Sequence, residues 1–105
     1  MLTTRALPPS IQHLRARMDR LNARLVVLLQ ARARLARAIG RAKARHGLAA
    51  ADPARERAML RALLADAAPG FLRAELARVL RAVFATSRRL VLADRGRRHP
   101  RAPRG

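Results

Sequence analysis

Apolar residues stand at Ile11, Leu14, Met18, Leu21, Leu25 and Leu28, and again at Leu35 and Ile39, in steps of three and four. That spacing lines one face of a helix, and it persists for so long that the remainder of the chain must be arranged around it. Pro8-Pro9 bars helix before Ser10, a good N-cap, and Gly47 is a natural stop, so the pattern predicts one helix over 10–46. At 1.5 Å per residue it is about 55 Å long. In its middle, Leu25-Val26-Val27-Leu28-Leu29 is apolar around the whole circumference, which calls for burial on every side. A chain of 105 residues is one small domain and cannot surround such a helix alone. A second copy is expected to cover it.

The seam is interrupted at position 32, where Arg32 replaces the expected Leu or Ile. Eleven residues further on, three turns away and on nearly the same face, stands Lys43, the only lysine in the sequence. The helical rise separates the two backbones by about 16 Å, a gap that two long side chains can close around a small dianion. A cation on a buried seam is costly unless paired, and the acids are only Asp19, Asp52, Glu56, Asp66, Glu75 and Asp94. Arg32 is open to two readings. One is a structural ion pair, or a guanidinium that snorkels to the edge of the seam; the other is bidentate capture of a substrate carboxylate or phosphate. A single lysine among arginines is either accidental or marks a site that wants a compact ammonium.

Beyond the first helix, 48–51 is a loop leading to Asp52-Pro53, a carboxylate N-cap followed by proline in the first turn. A second helix is predicted over 53–67, with Met59, Leu60, Leu63 and Leu64 inward, and Pro69-Gly70 breaks it. A third runs over 71–94, striped by Leu72, Leu76, Val79, Leu80, Val83, Phe84, Leu90 and Val91, with Ser87 inside the stripe. Ser87 has an ordinary option, a bond back to the carbonyl of Val83. Asp52, Arg55 and Glu56 fall within one turn at a helix N-terminus, where acids are favoured. Glu56 is one position too late to close a capping box, which leaves it open to other work. The expected layout is a leader over 1–9, an all-α domain over 10–94 and a disordered basic tail over 95–105, with no strand signal.

The formal charge of +18 suggests a polyanion as partner. Yet all but one of the 24 basic residues are arginine and alanine is as abundant, a pairing that codon bias alone produces. Aromatics make up only 2%, which removes the stacking platforms of single-strand binders, and nucleic-acid binding leaves the inward Arg32 and Lys43 unexplained. The absence of cysteine and the scatter of three histidines give no metal-ligand spacing. No apolar run approaches the roughly 18 residues of a membrane span, and Met1–Ser10 lacks the apolar centre of a signal peptide. A cytoplasmic location is therefore expected.

The succession Leu14-Arg15, Asp19, Leu21-Asn22, Leu25, Leu28-Leu29, Arg32, Leu35-Ala36, Ile39-Gly40, Ala42-Lys43, then Asp52-Pro53-Ala54-Arg55-Glu56, resembles the all-helical AroQ-type chorismate mutases over about 11–94. The resemblance implies an intertwined helical homodimer that converts chorismate to prephenate, the branch step toward phenylalanine and tyrosine, with no cofactor. It implies that Arg32 holds one substrate carboxylate and that Arg15 reaches the other from the partner protomer. Lys43 would donate to the ether oxygen, where negative charge grows as the carbon–oxygen bond breaks. Glu56 and the backbone near Asp52 would receive the ring hydroxyl, with Arg55 beside them and Ser87 completing the carboxylate pocket. A pericyclic rearrangement needs no nucleophile, only a compressed conformer and charge complementarity.

One position departs from that pattern. Many members carry Gln or Glu one turn after the serine, as a second donor to the ether oxygen, and this chain has Val91. Losing one preorganised donor costs on the order of a hundredfold in rate. Val91 thereby keeps open a mutase or pyruvate lyase acting on a chorismate relative, isochorismate or 4-amino-4-deoxychorismate. Two readings of other classes stand beside these: a basic helical nucleic-acid binder, and a helical dimerisation module without activity.

Overall fold

The computed structural model describes residues 7–98. Among them it contains three helices and no strand: α1 (Pro9–Arg45), α2 (Pro53–Ala65) and α3 (Arg73–Arg98). The chain divides into two compact units at Arg32/Ala33, inside α1.

In the first unit, α1 opens one residue before the expected cap. The carbonyl of Pro8 accepts from the amides of both Ile11 and Gln12 at 3.0 Å, so Pro8 holds the cap position and Pro9 the first helical one. Proline suits that place because its fixed φ is helical and its missing N–H has no partner to lose; Ser10 lies inside the first turn instead. The predicted seam is bare in this unit. Leu14, Met18, Leu21, Leu25 and Leu28 are all more than half exposed, and Val26 and Val27, on other faces of the same turns, are 55 and 64% exposed.

In the second unit, α1 ends in a Schellman motif. The Leu48 amide donates to the Lys43 carbonyl at 2.8 Å and the Gly47 amide to that of Ala44 at 3.1 Å. Gly47 has φ +69°, the left-handed conformation this ending requires and glycine adopts without strain. At α2, the Asp52 carboxylate accepts from the Arg55 amide at 3.0 Å and Pro53 takes the first helical position, as the sequence predicts. The helix stops at Ala65, two residues early.

α3 starts at Arg73 rather than 71 and continues to Arg98 rather than 94. Arg95–Arg98, expected in the basic tail, are helical; the rest of that tail, 99–105, and residues 1–6 of the leader expected over 1–9 lie outside the described residues. Arginine is a good helix former, and Asp94 supports the final turn by pairing with Arg97 at 2.5 Å and with Arg37 of α1 at 3.0 Å.

α2 and α3 pack against each other. The most buried side chains of α3, Ala77, Phe84 and Val91, recur every seventh residue and so lie on one stripe. Gly40 of α1 is buried against the last of them: a Cβ built there would stand 2.7 Å from Val91 Cγ1. Glycine at 40 is what lets the two backbones approach so closely.

Candidate active site

Lys43 lies in the last turn of α1, half-buried, with its head turned to the following loop. Its Nζ donates to the Ala50 carbonyl at 3.3 Å. An ammonium has three donors, so this bond orients the group while leaving it able to donate elsewhere. Two residues after Ala50 the chain reaches Asp52, whose carboxylate is occupied as the α2 cap. Arg55 contributes its amide to that cap and its exposed side chain to the surface of α2.

One turn into α2, Glu56 is half-buried, but its carboxylate is not without a partner. Arg88 of α3 donates from Nη1 to Glu56 Oε1. The pair lines a concavity of about 290 Å³ between α2 and α3, walled by Leu60 and Phe84 and flanked by Arg57 and Arg81. With three guanidinium groups to one carboxylate, its electrostatic character is positive. Of the candidate site residues read from the sequence, Glu56 alone lines it.

Ser87 adjoins Arg88 on α3 and its Oγ donates to the Val83 carbonyl at 3.0 Å, the local bond its sequence position allows. Val91, one turn on, is buried on Gly40. Lys43, Asp52, Glu56, Ser87 and Val91 thus all belong to the second unit, distributed over the end of α1, the α1–α2 loop, the start of α2 and the middle of α3. Arg15 and Arg32 lie on α1 in the first unit, Arg15 exposed and Arg32 half-buried.

Two arginines that the sequence did not distinguish have specific places. Arg88 meets Glu56 from 32 residues away, and Arg95 donates from Nη2 to the Leu48 carbonyl at 2.8 Å from 47 residues away. The one available signal was scarcity of acid: with six carboxylates in the chain, a half-buried one was bound to be claimed by an arginine.

Among the described residues no helix is long and apolar enough to cross a membrane. Fold and side chains together define an all-α domain whose polar groups suit an anionic small molecule. The family model for chorismate mutase type II matches residues 14–91. Among solved structures, chorismate mutase (form II) from Thermus thermophilus is 35% identical with a TM-score of 0.76, covering 78% of this chain and 93% of that one. Form I of the enzyme from the same organism is 36% identical with a TM-score of 0.73, covering 74% and 98%. No curated protein matches significantly. The chain belongs to the type II chorismate mutases, an isomerase family.

Proposed function

We propose that this chain rearranges chorismate to prephenate as a cytoplasmic homodimer, with each active site completed by Arg15 of the partner protomer. Arg32 and the partner's Arg15 hold the two carboxylates of the substrate. Bidentate pairing fixes the compressed conformer, and the reaction then proceeds within one molecule, so positioning supplies much of the acceleration. Lys43 donates to the ether oxygen as charge develops there. Glu56, steadied by Arg88, and the backbone at Asp52 receive the ring hydroxyl, with Arg55 beside them and Ser87 closing the carboxylate pocket. Val91 supplies packing on Gly40 rather than a donor, so Lys43 carries the ether oxygen alone.

The observation that supports this most directly is the Lys43 ammonium. The only lysine of a chain with 24 basic residues is half-buried and pinned to a loop carbonyl at 3.3 Å, where a solvated face would have left it free. Dimerisation is supported by the bare apolar seam of α1. The test is loss of the chorismate diene absorbance with the purified chain, run beside the isochorismate reaction. Turnover of chorismate well above the spontaneous rate is expected; a folded dimer with no such turnover would overturn the assignment, and preference for isochorismate would reassign the substrate.

A further inference from the structure

We infer that Arg95 is a positioning residue for the active-site loop, acting through the carbonyl of Leu48; this rests on the function proposed above. The side chain belongs to the last turns of α3, in a stretch whose composition marks it as tail. It is half-buried, and its Nη2 donates to Leu48 O at 2.8 Å. The same Leu48 residue gives its amide to the Lys43 carbonyl at 2.8 Å, as the closing bond of the α1 Schellman motif. Leu48 is thereby held on both sides, by α1 through its N–H and by α3 through its C=O.

What lies next to that anchor gives it consequence. Ala50, two residues on, accepts from the Lys43 ammonium at 3.3 Å, and Asp52, two further, caps α2. The loop therefore sets both where the ammonium points and where α2 begins, and Arg95 is the α3 side chain that fastens it. α3 itself is held against α1 at that level by Val91 on Gly40, one turn before Arg95, and by Asp94 on Arg37 at 3.0 Å. Arg95 extends from a fixed base. The bond is exposed, so its worth is in holding the loop in place, and a loop carbonyl deprived of it returns to water with its segment loosened.

Because Lys43 works on charge that appears only in the transition state, loosening its partner loop lowers kcat more than it raises KM. Arg95→Ala is expected to lower kcat about tenfold, equal to about 1.4 kcal/mol, with KM changed less than threefold. Arg95→Lys, which keeps one donor and the charge, recovers most of that loss, whereas Arg89→Ala, an exposed change of the same charge on the same helix, leaves kcat unaltered. A readout independent of turnover accompanies these: hydrogen exchange of the amides over 48–52 quickens in Arg95→Ala and stays at wild-type rates in Arg95→Lys. Unchanged exchange in Arg95→Ala overturns the inference whatever the enzyme does. Faster exchange with unchanged kcat overturns it as well, by showing a tether without catalytic consequence. Failure of the wild type to turn over chorismate counts against the proposed function instead, and leaves the exchange result to judge the tether.

Discussion

Lys43 differs in chemistry from the 23 arginines that make up the other basic side chains of the sequence. Its ammonium is compact and rotatable where a guanidinium is planar and broad, and the Ala50 carbonyl directs it. Lys43→Ala is expected to lower kcat by two to three orders of magnitude, about the cost of one preorganised donor aimed at developing charge, while far-UV circular dichroism stays that of the wild type. Equal rates for variant and wild type would remove Lys43 from the chemistry. At this scale the sequence was informative wherever a residue type is rare or its bonding is local. Lys43 stands out by being single, Asp52 by preceding Pro53, and Ser87 by its reach to a carbonyl four residues back. Arg88 and Arg95 were illegible for the opposite reason. Each is one arginine among 23, and its meaning arises only when packing brings Glu56 or Leu48 to it.

Among the elements, helix identity was written in the chain and helix length less so. Pro53 and Gly47 mark the start of α2 and the end of α1 by fixing or freeing φ, effects that are local and hence readable, whereas Pro9, read as a bar to helix, is the first residue of α1. The stretch of α3 beyond Asp94 is not marked in this way. Arg95–Arg98 look like a tail by composition, yet they continue the helix because Asp94 binds both Arg97 on the next turn and Arg37 on α1, which periodicity does not reveal. The contact between α1 and α3 depends on the missing Cβ at 40. Gly40→Ala improves intrinsic helix propensity by about 1 kcal/mol, but drives a methyl to 2.7 Å from Val91 Cγ1, and overpacking of this kind costs about 1–3 kcal/mol. The net expectation is a lower Tm. The pair Gly40→Ala, Val91→Ala should relieve the clash, seen as a favourable coupling energy in a double-mutant cycle of chemical denaturation; strict additivity would mean that the two residues do not meet.

For the molecule as a whole, the bare seam on α1 is the dominant fact. Leu28 is 65% exposed in the single chain, and covering a leucine is worth about 1.5–3 kcal/mol, so a run of such residues drives association strongly. Leu28→Glu is expected to convert a dimer to monomers in analytical ultracentrifugation and, with Arg15 then withheld from the partner's site, to abolish chorismate turnover. A dimeric, active Leu28→Glu protein would place the interface elsewhere. The charge of +18 acts in the other direction, since two such chains repel; added salt should tighten the assembly by screening that repulsion, opposite to its effect on a protein that grips nucleic acid through phosphates. The same uncovered leucines have a final consequence through mass action. A helix that needs a companion to stay dry owes its melting temperature to how many companions are present. Dilution then acts as a denaturant for the proposed dimer, and the cell must keep the protein above a threshold abundance for any copy to work.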